Sequence, residues 1–492
     1  MVAAAGLILA NRSYIDHNAP PGKTEDAAES DGGLLAAVRP VIAPWDGESG
    51  TTWIGAGRGK FDDLWVDARG HELVAVRGGM LRHRRLTFDE TTWNNHYGAV
   101  SNGFFWPLMH LSRRPLPLLT DYYPAPKSPS PQEWTAYVAV NQRFADAAAE
   151  EESGASCWIH DYQLALVPRM LRADGSKRKT GFFLHTPFPS WAVAEPLLDS
   201  TGRERLRDFM AGMLGADLIG LQTEADVGRF REAAVALLGA NTVPGGVRMG
   251  GRVTRLGAYP VGIDVEELLD LARSAELPGQ VEEFRGKGQP LVIGLERSDY
   301  TKGIPERLNI IADAFDAGLR FSYVGVAAPT REGVRGYEAL ISAIETATAR
   351  AAEAARRAGC HFLQLRRSIS WEGVVALQRD ADVVFTSSLA DGMNLVPLQA
   401  AVAQSLRPEA ERAVIIVGRD AGFALAFASP NGGGDGFSTV DALDPEAMRA
   451  TLAAALKGLP VRVTDTLVAR IRAGDARAWA TRFLSDMEGS GC

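Results

Sequence analysis

Short apolar runs alternate with amphipathic stretches along the chain. In the first half, residues 7–11, 158–160 and 180–185 have the pattern of buried strands, and residues 163–173 have the pattern of a helix. Strand, helix and strand in succession are typical of βαβ units. We therefore expect a parallel sheet in this half.

The second half repeats this alternation more clearly. Strands are predicted at residues 290–295, 321–326, 361–365, 383–387 and 413–417, and helices at 304–317 and 335–358. A YPVG turn near residues 259–264 predicts the link between the halves, residues 431–436 a surface loop, and residues 465–487 one long terminal helix. Because 492 residues exceed what one core serves, we expect two doubly wound domains with a ligand in the crevice between them.

Composition narrows the classes of protein. A net charge of −8 argues against nucleic-acid binding and against binding to anionic membranes. Three cysteines, Cys157, Cys360 and Cys492, do not make a disulfide framework, so we expect a reducing cytoplasm. The apolar start at residues 1–10 is too short to cross a bilayer, and no later run is long enough.

The clearest chemical signal is GLERSDYTKG at residues 294–303, which follows a predicted strand and opens a predicted helix. Arg297 and Lys302, together with the helix N-terminus, would suit a pyrophosphate that becomes a leaving group. The alternative is a surface loop in which both cations pair with Glu296 and Asp299. The stretch alone favours neither.

A second stretch, ADGMNLV at residues 390–396, also follows a strand. Gly392 would allow the backbone close to a diphosphate, and Asp391 would accept hydrogen bonds from sugar hydroxyls. A simple strand-to-helix turn capped by Asn394 is the better interpretation of this stretch taken alone.

Other polar groups stand at strand ends. Asp161 and His185 could bind hydroxyl groups, although lone histidines are usually buried and satisfied by the backbone. Zinc-ligand spacing, a nucleophile elbow and a P-loop are absent from the sequence. Other candidates have plainer interpretations: Tyr97 and Trp106 as core aromatics, Arg12 and Arg331 as solvated arginines, and residues 82–85 as a solvated basic face.

Eight strings occur in order over nearly the whole chain. They are NR (11–12), DGGL (31–34), WIHDY (158–162), FLHTPFP (183–189), GLQTE (220–224), YPVGI (259–263), ERSDYTKG (296–303) and DGMNLV (391–396). This ordered set resembles the trehalose-6-phosphate synthases, a family of retaining glycosyltransferases. The resemblance implies an α/β GT-B fold: two Rossmann-like domains facing across a cleft, at residues 1–258 and 259–465, with a C-terminal helix at 466–492 crossing back to the first domain.

The resemblance also implies an activity. Glucose would pass from a nucleotide sugar to glucose 6-phosphate with retention, by a front-face route that needs no covalent intermediate, cofactor or metal. Arg297, Lys302, Asp161 and His185 would be catalytic. The donor would contact Arg297, Lys302, His185, Asp391, Gly392, Met393, Asn394, Leu395, Val396, Gln399 and, in a flexible loop, Gly33. The acceptor would contact Arg12, Trp53, Tyr97, Trp106, Asp161 and Arg331.

The sequence departs from the family pattern on the donor side. Ala390 replaces an Arg, Leu398 and Gln399 replace a Lys-Glu pair whose Glu holds the ribose, and Ser298 replaces a Leu. These changes slightly favour GDP-glucose over UDP-glucose. Alternatives are a glucosylglycerol-phosphate synthase, a cyclitol pseudo-glycosyltransferase and a non-catalytic subunit that senses sugar phosphate. The sequence also leaves open whether the chain forms a homo-oligomer.

Overall fold

A computed structural model describes residues 6–21, 27–29, 33–47, 49–151, 155–285, 288–331, 334, 336–429, 436–459 and 461–489. The chain forms two compact units. The first comprises Met1–Leu111, Ala125–Val261 and Ala476–Cys492, and the second comprises Ser112–Pro124 and Gly262–Asp475. The main link therefore falls after Val261, three residues beyond the expected boundary, and the short segment Ser112–Pro124 joins the second unit.

The first unit contains twelve described strands and nine described α-helices. The strands are β1 Leu7–Arg12, β2 Ile15–His17, β3 Ala27–Glu29, β4 Thr52–Ala56, β5 His71–Val76, β6 Gly79–Leu86, β7 Cys157–His160, β8 Thr180–Phe183, β9 Leu218–Leu221, β10 Asn241–Val243, β11 Gly246–Met249 and β12 Arg252–Ala258. The helices are α1 Gly33–Val38, α2 Glu90–Trp93, α3 Trp106–Met109, α4 Pro131–Glu150, α5 Val167–Ala173, α6 Trp191–Ala194, α7 Ser200–Met213 and α8 Glu224–Leu238, followed at the chain end by Ala476–Glu488. A π-helical segment, Asn94–Phe105, precedes α3.

Ten of these strands form one sheet in the order β10-β11-β12-β9-β8-β7-β1-β4-β6-β5. The seven strands from β12 to β6 run parallel, as the alternating pattern predicts. Antiparallel pairs extend both edges, β5 with β6 and the meander β10-β11-β12. The pattern did not predict these edge hairpins, because a hairpin needs no crossover helix between its strands.

The second unit is built on a six-stranded, fully parallel sheet in the order β15-β14-β13-β16-β17-β18. Its strands are β13 Leu291–Arg297, β14 Ser322–Ala328, β15 Phe362–Leu365, β16 Val383–Phe385, β17 Val414–Gly418 and β18 Ser438–Val440. Its helices are α9 Val265–Ser274, α10 Gly279–Arg285, α11 Ile304–Asp316, α12 Tyr337–Ala358, α13 Trp371–Asp380, α14 Leu395–Gln404, α15 Gly422–Phe427, α16 Pro445–Ala455 and α17 Asp465–Ala473. All five predicted strands are confirmed to within two residues. Of the predicted loop at 431–436, residues 431–435 lie outside the described residues.

The prediction of one long terminal helix is wrong. Helix α17 ends at Ala473, and a second helix, α18, spans Ala476–Glu488 after the break at Gly474 and Asp475. The boundary between the units falls at this break, so α17 belongs to the second unit and α18 to the first. Apolar periodicity continues across the break, which is why the sequence pattern did not reveal it.

Helix α18 packs on strands β7, β8 and β9 of the first sheet. The ring of Phe483 stacks on Trp158, with centroids 5.1 Å apart. A Cβ atom at Gly220 would lie 2.7 Å from the Phe483 ring, so this glycine leaves room for the helix. Tyr259 Oη donates to Asp486 at 2.8 Å. No helix in the described part of the chain is both long and apolar enough to cross a membrane.

The basic run at residues 82–85 is not the solvated face we expected. His83, Arg84 and Arg85 are buried, because β6 lies inside the sheet between β4 and β5. Arg85 pairs with Asp62 at 3.0 Å, and Arg84 pairs with Glu151 at 3.0 Å. Carboxylates from distant segments neutralise the run, and the local sequence carries no sign of them.

Candidate active site

Two cations stand at the carboxyl end of β13 in the second unit. Arg297, the last residue of β13, is exposed, and its side chain makes no hydrogen bond or ion pair with any described residue. Lys302 ends the 3-10 turn Tyr300–Lys302 and forms an ion pair with Asp391. One cation is therefore available to a ligand outright, and the other is held by an acidic side chain that a ligand could replace.

The alternative in which these cations pair with Glu296 and Asp299 is wrong. Glu296 is buried against Arg307, and Asp299 pairs with Arg331. Both acidic groups thus have other partners.

The backbone of Gly303 fixes the turn that carries Lys302. Gly303 has a φ of +60°, and a Cβ atom there would lie 2.3 Å from the carbonyl oxygen of Ser387. Only glycine fits this close approach in the left-handed region. Leu389 N also donates to Thr301 O at 2.7 Å, so the turn is joined to the loop that leads to Asp391.

The loop before α14 caps that helix and carries Asp391 beside Lys302. Asn394, with a φ of +67°, caps the helix by accepting from Val396 N at 3.3 Å, so the capping role is confirmed. Ser388 Oγ donates to Asp391 at 3.2 Å, which keeps the carboxylate at the strand end beside Lys302. Gly392 and Met393 are buried, whereas Leu395 and Val396 keep part of their surface exposed.

The donor-side departures differ in their surroundings. Ala390 and Leu398 are buried, so they fill the core of the second unit and present no polar group. Gln399 is half-buried, and its Oε1 accepts from Gln378 Nε2 at 3.2 Å. The amide oxygen at the position of the family's ribose-binding Glu therefore already has a donor.

In the first unit, Asp161 and His185 meet at the carboxyl ends of β7 and β8. Asp161 has a φ of +72° and accepts from His185 N at 3.2 Å. The rings of His160 and His185 share a hydrogen bond of 3.1 Å between His160 Nδ1 and His185 Nε2. His160 Nε2 is buried without a hydrogen-bond partner among the described residues. Because a neutral ring carries one N–H, which needs an acceptor when buried, we place the proton of His160 on Nδ1, where it is shared with His185 Nε2. His185 Nδ1 then carries a proton that can be donated to a ligand.

Both rings are neutral at physiological pH. Burial lowers the pKa of His185 to about 3, and burial with the neighbouring His185 lowers the pKa of His160 well below its usual value. His185 is therefore a hydrogen-bonding group in this site and not a source of protons for acid catalysis.

This neutrality predicts a pH dependence of stability. The unfolded pKa of His185 lies near 6.5 and the folded pKa about 3, so the neutral ring contributes stability above pH 6.5 that is lost as pH falls toward 3. Replacing His185 by Phe should make the free energy of unfolding less steep between pH 4 and 6, by about 1.4 kcal/mol per pH unit. Denaturant unfolding across this range tests it. The two curves should run parallel from pH 7.5 to 9, and equal slopes below pH 6 would contradict the neutral histidine.

A second group of predicted residues lies at the end of β1. Arg12 is exposed, and its guanidinium donates to Tyr97 Oη at 3.2 Å. Trp53 is buried in β4, and its Nε1–H donates to the backbone oxygen of Arg12 at 3.1 Å. Trp53 thus holds the backbone of Arg12. Trp106 is buried, with its ring 4.3 Å from that of His110.

Arg331 is less available than the sequence suggested. It has a φ of +50°, and its side chain lies against the buried Asp299 and donates to Tyr337 Oη at 3.2 Å. A phosphate would have to share this guanidinium with Asp299. Gly33, which we expected in a loop, is the first residue of α1.

Replacing Arg331 by Ala should raise the KM for a sugar phosphate by roughly 10- to 100-fold, the usual effect of losing one charge-assisted hydrogen bond. It should also lower the melting temperature, because Asp299 would lose its cation. Arg331→Lys keeps the charge near Asp299 and separates the two effects. Steady-state kinetics with varied acceptor measures the change, and an unchanged KM in both variants would remove Arg331 from the acceptor site.

Several supporting residues escaped the sequence analysis. Arg307 and Ser387 surround Glu296 and the turn of Lys302 (Arg307 Nη1 to Ser387 Oγ is 3.1 Å), and Gln222 contacts the backbone of His185. Arg307 occupies one position of an amphipathic helix, which gave no sign of its burial. Gln222 lies inside a family-like string, and that was the one available signal. Among the described residues, no group of three or more His, Cys, Asp or Glu side chains is arranged to hold a metal ion.

Comparison with known proteins places these residues in context. The family model for glycosyltransferase family 20 matches residues 7–489. A trehalose-6-phosphate synthase from Mycolicibacterium smegmatis is 30% identical over 511 aligned positions, covering 99% of this chain and 92% of that protein.

Solved structures are similar over almost the whole chain. A UDP-forming alpha,alpha-trehalose-phosphate synthase from Burkholderia vietnamiensis superposes with a TM-score of 0.78 at 25% identity, covering 98% of this chain and 99% of that one. A UDP-forming enzyme from Burkholderia xenovorans, in complex with glucose-6-phosphate, has a TM-score of 0.77 at 24% identity, covering 98% and 99%. The predicted α/β fold class, GT-B, is confirmed by this likeness.

Proposed function

The chain belongs to glycosyltransferase family 20, and from this premise we propose that it transfers glucose from a nucleotide sugar to glucose 6-phosphate, forming trehalose 6-phosphate with retention. The observation that carries the proposal is the pair of cations at the end of β13. Within the described part of the chain, the Arg297 side chain has no polar partner, and the Lys302 ammonium pairs with Asp391 alone. Two cations are what a departing nucleoside diphosphate requires.

UDP-glucose is the donor we propose. The relatives from Burkholderia are named UDP-forming, and two of the departures that favoured GDP-glucose, Ala390 and Leu398, are buried. Buried side chains without a polar atom cannot form hydrogen bonds that distinguish one nucleotide from another. Ser298 is also buried, and its hydroxyl donates to Ala327 O at 2.9 Å. Gln399 is the remaining difference, and it makes GDP-glucose the competitor to test.

In the proposed reaction, the acceptor hydroxyl oxygen bonds to the anomeric carbon of glucose while the bond from that carbon to the diphosphate oxygen breaks. The hydroxyl proton moves to the departing oxygen, so no side chain of the enzyme has to act as a base. Arg297 and Lys302 neutralise the charge that grows on the diphosphate, and Asp391, released from Lys302, accepts from sugar hydroxyls. This division leaves the enzyme with positioning and electrostatic stabilisation.

The first unit supplies polar groups for the sugars in this proposal. His185, neutral and with Nδ1–H available, donates to a donor hydroxyl, and Asp161 accepts from an acceptor hydroxyl. Arg12 and Tyr97 bind the acceptor phosphate, joined by Arg331. We propose that the reaction needs no metal, because Arg297 and Lys302 supply two positive charges for the leaving group.

Release of nucleoside diphosphate, with glucose 6-phosphate as acceptor and each donor in turn, tests the proposal. Trehalose 6-phosphate should form with kcat/KM higher for UDP-glucose than for GDP-glucose, and the rate should persist in EDTA. Product analysis should show the α,α linkage. A different acceptor, such as glycerol phosphate, would redirect the proposal to a sister activity. Ligand-induced thermal stabilisation without turnover on any acceptor would indicate a non-catalytic subunit.

A further inference from the structure

The side-chain amide of Gln222 joins two backbone segments at the carboxyl edge of the first sheet. Gln222 directly follows β9 and is buried. Its Nε2 donates to His185 O at 3.3 Å, and its Oε1 accepts from Val261 N at 3.0 Å. Because the carbonyl can only accept and the backbone N–H can only donate, the two partners determine the orientation of the amide.

These bonds complete the support of His185. Its backbone N donates to Asp161, its ring contacts His160, and its backbone oxygen accepts from Gln222. These three hydrogen-bonding partners lie at the ends of β7 and β9, the parallel strands on either side of β8, which leads to His185. Gln222 is therefore one of three hydrogen-bonding partners that hold the His185 loop.

The other partner of Gln222 lies where the chain leaves the first unit. Val261 is the last residue of that unit before Gly262. The segment before it is itself fixed, since Tyr259 N donates to Leu221 O at 2.7 Å and Trp479 Nε1 donates to Tyr259 O at 3.2 Å. One buried amide thus connects the loop of His185 to the segment that leads out of the unit.

We infer that Gln222 is a positioning residue for glucosyl transfer. It holds the His185 loop in place against the segment at Val261, where the chain leaves the first unit. The inference rests on the proposed function, in which His185 donates to the donor sugar. Other side chains do not reproduce both bonds. A glutamate would place a second acceptor against His185 O, and a methionine would leave two buried backbone groups without partners.

Kinetics of Gln222→Met and Gln222→Glu in the full chain tests this role. Each should lower kcat/KM for the nucleotide sugar by about tenfold, the effect of one buried group losing its partner, and leave the KM for glucose 6-phosphate within about twofold. In a His185→Ala background, Gln222→Met should lower kcat/KM by less than about threefold, because the two residues act through one contact. Equal losses in both backgrounds would overturn the inference.

Gln404 offers a matched control. It is also buried, and its amide likewise bonds backbone groups, donating to Gln378 O at 2.9 Å and accepting from Ala413 N at 2.8 Å in the second unit. Gln404→Met should lower the melting temperature and leave kcat/KM unchanged. If it lowers kcat/KM as much as Gln222→Met does, the effect is general destabilisation and the inference fails.

The same assays distinguish failure of the positioning role of Gln222 from failure of the proposed function. A wild-type protein that transfers glucose normally, with Gln222 variants of unchanged kcat/KM, would reject the positioning role and leave the proposed function standing. A well-folded wild-type protein that transfers glucose to no acceptor would reject both.

Discussion

Replacing Arg297 or Lys302 by alanine should each lower kcat/KM by several hundredfold, corresponding to about 3–4 kcal/mol of lost transition-state stabilisation, as for one lost donor to an oxyanion. The Arg297 side chain makes no hydrogen bond or ion pair with a described residue, so its removal should leave the fold intact and act on chemistry alone. Lys302 also pairs with Asp391, so its removal leaves that carboxylate without its cation as well. Steady-state release of nucleoside diphosphate measures both effects.

Two controls sharpen this prediction. Arg273→Ala removes an exposed arginine of the same unit that pairs with the exposed Asp270, and it should leave kcat/KM unchanged. Arg297→Lys keeps the charge but loses the planar pair of donors, so it should recover part of the rate. Near-normal turnover in both alanine variants would contradict the assignment of these cations to the diphosphate.

Replacing Arg307 by methionine should destabilise the second unit by about 3–5 kcal/mol, the cost of leaving one partner of a buried ion pair alone. Arg307 has a side chain that is 0% exposed, and that of Glu296 is 1% exposed. Burial raises the pKa of Glu296 even with the arginine present, and losing that cation raises it further. Because the folded pKa then exceeds the unfolded value, the variant should gain stability as pH falls through that raised pKa.

Denaturant unfolding at pH 5 and pH 8 measures this effect. The double variant Glu296→Gln with Arg307→Met should be more stable than Arg307→Met alone, since no charge remains buried. The matched surface pair is Arg350 with Asp313, joined between α12 and α11, and Arg350→Met should cost less than about 1 kcal/mol. A loss for Arg307→Met as small as that of the surface control would show that the buried pair does not support the unit.

The strands were accessible to sequence analysis because their signal is local. A fully buried parallel strand is a short, continuous apolar run, and β13, β14 and β17 are such runs. The edge hairpins β5-β6 and β10-β11 were not, because their strands carry polar residues and are partly exposed, so no continuous apolar run marks them. The break between α17 and α18 was missed for a related reason, since one apolar stripe runs through both helices.

The candidate site divides in the same way. Arg297, Lys302, Asp161, His185 and Asp391 lie at the ends of strands or in the loops that follow them, and the carboxyl ends of parallel strands are where α/β proteins place ligand groups. Their partners were not visible, because Lys302 with Asp391, and Glu296 with Arg307, are separated along the chain and meet only through sheet and helix packing. Trp53 likewise became a support for Arg12 only once β4 paired with β1.

The sequence by itself determined the class of fold, the strands that carry chemistry and the family, since apolar runs, strand-end residues and ordered strings are all properties of contiguous residues. The tertiary structure alone decided which charges are paired and which are open to a ligand. It buried Arg84 and Arg85, turned Arg331 toward Asp299 and left Arg297 exposed. The physical reason is that the free energy of a charge depends on its burial and on its nearest opposite charge, and both are set by segments far away in sequence.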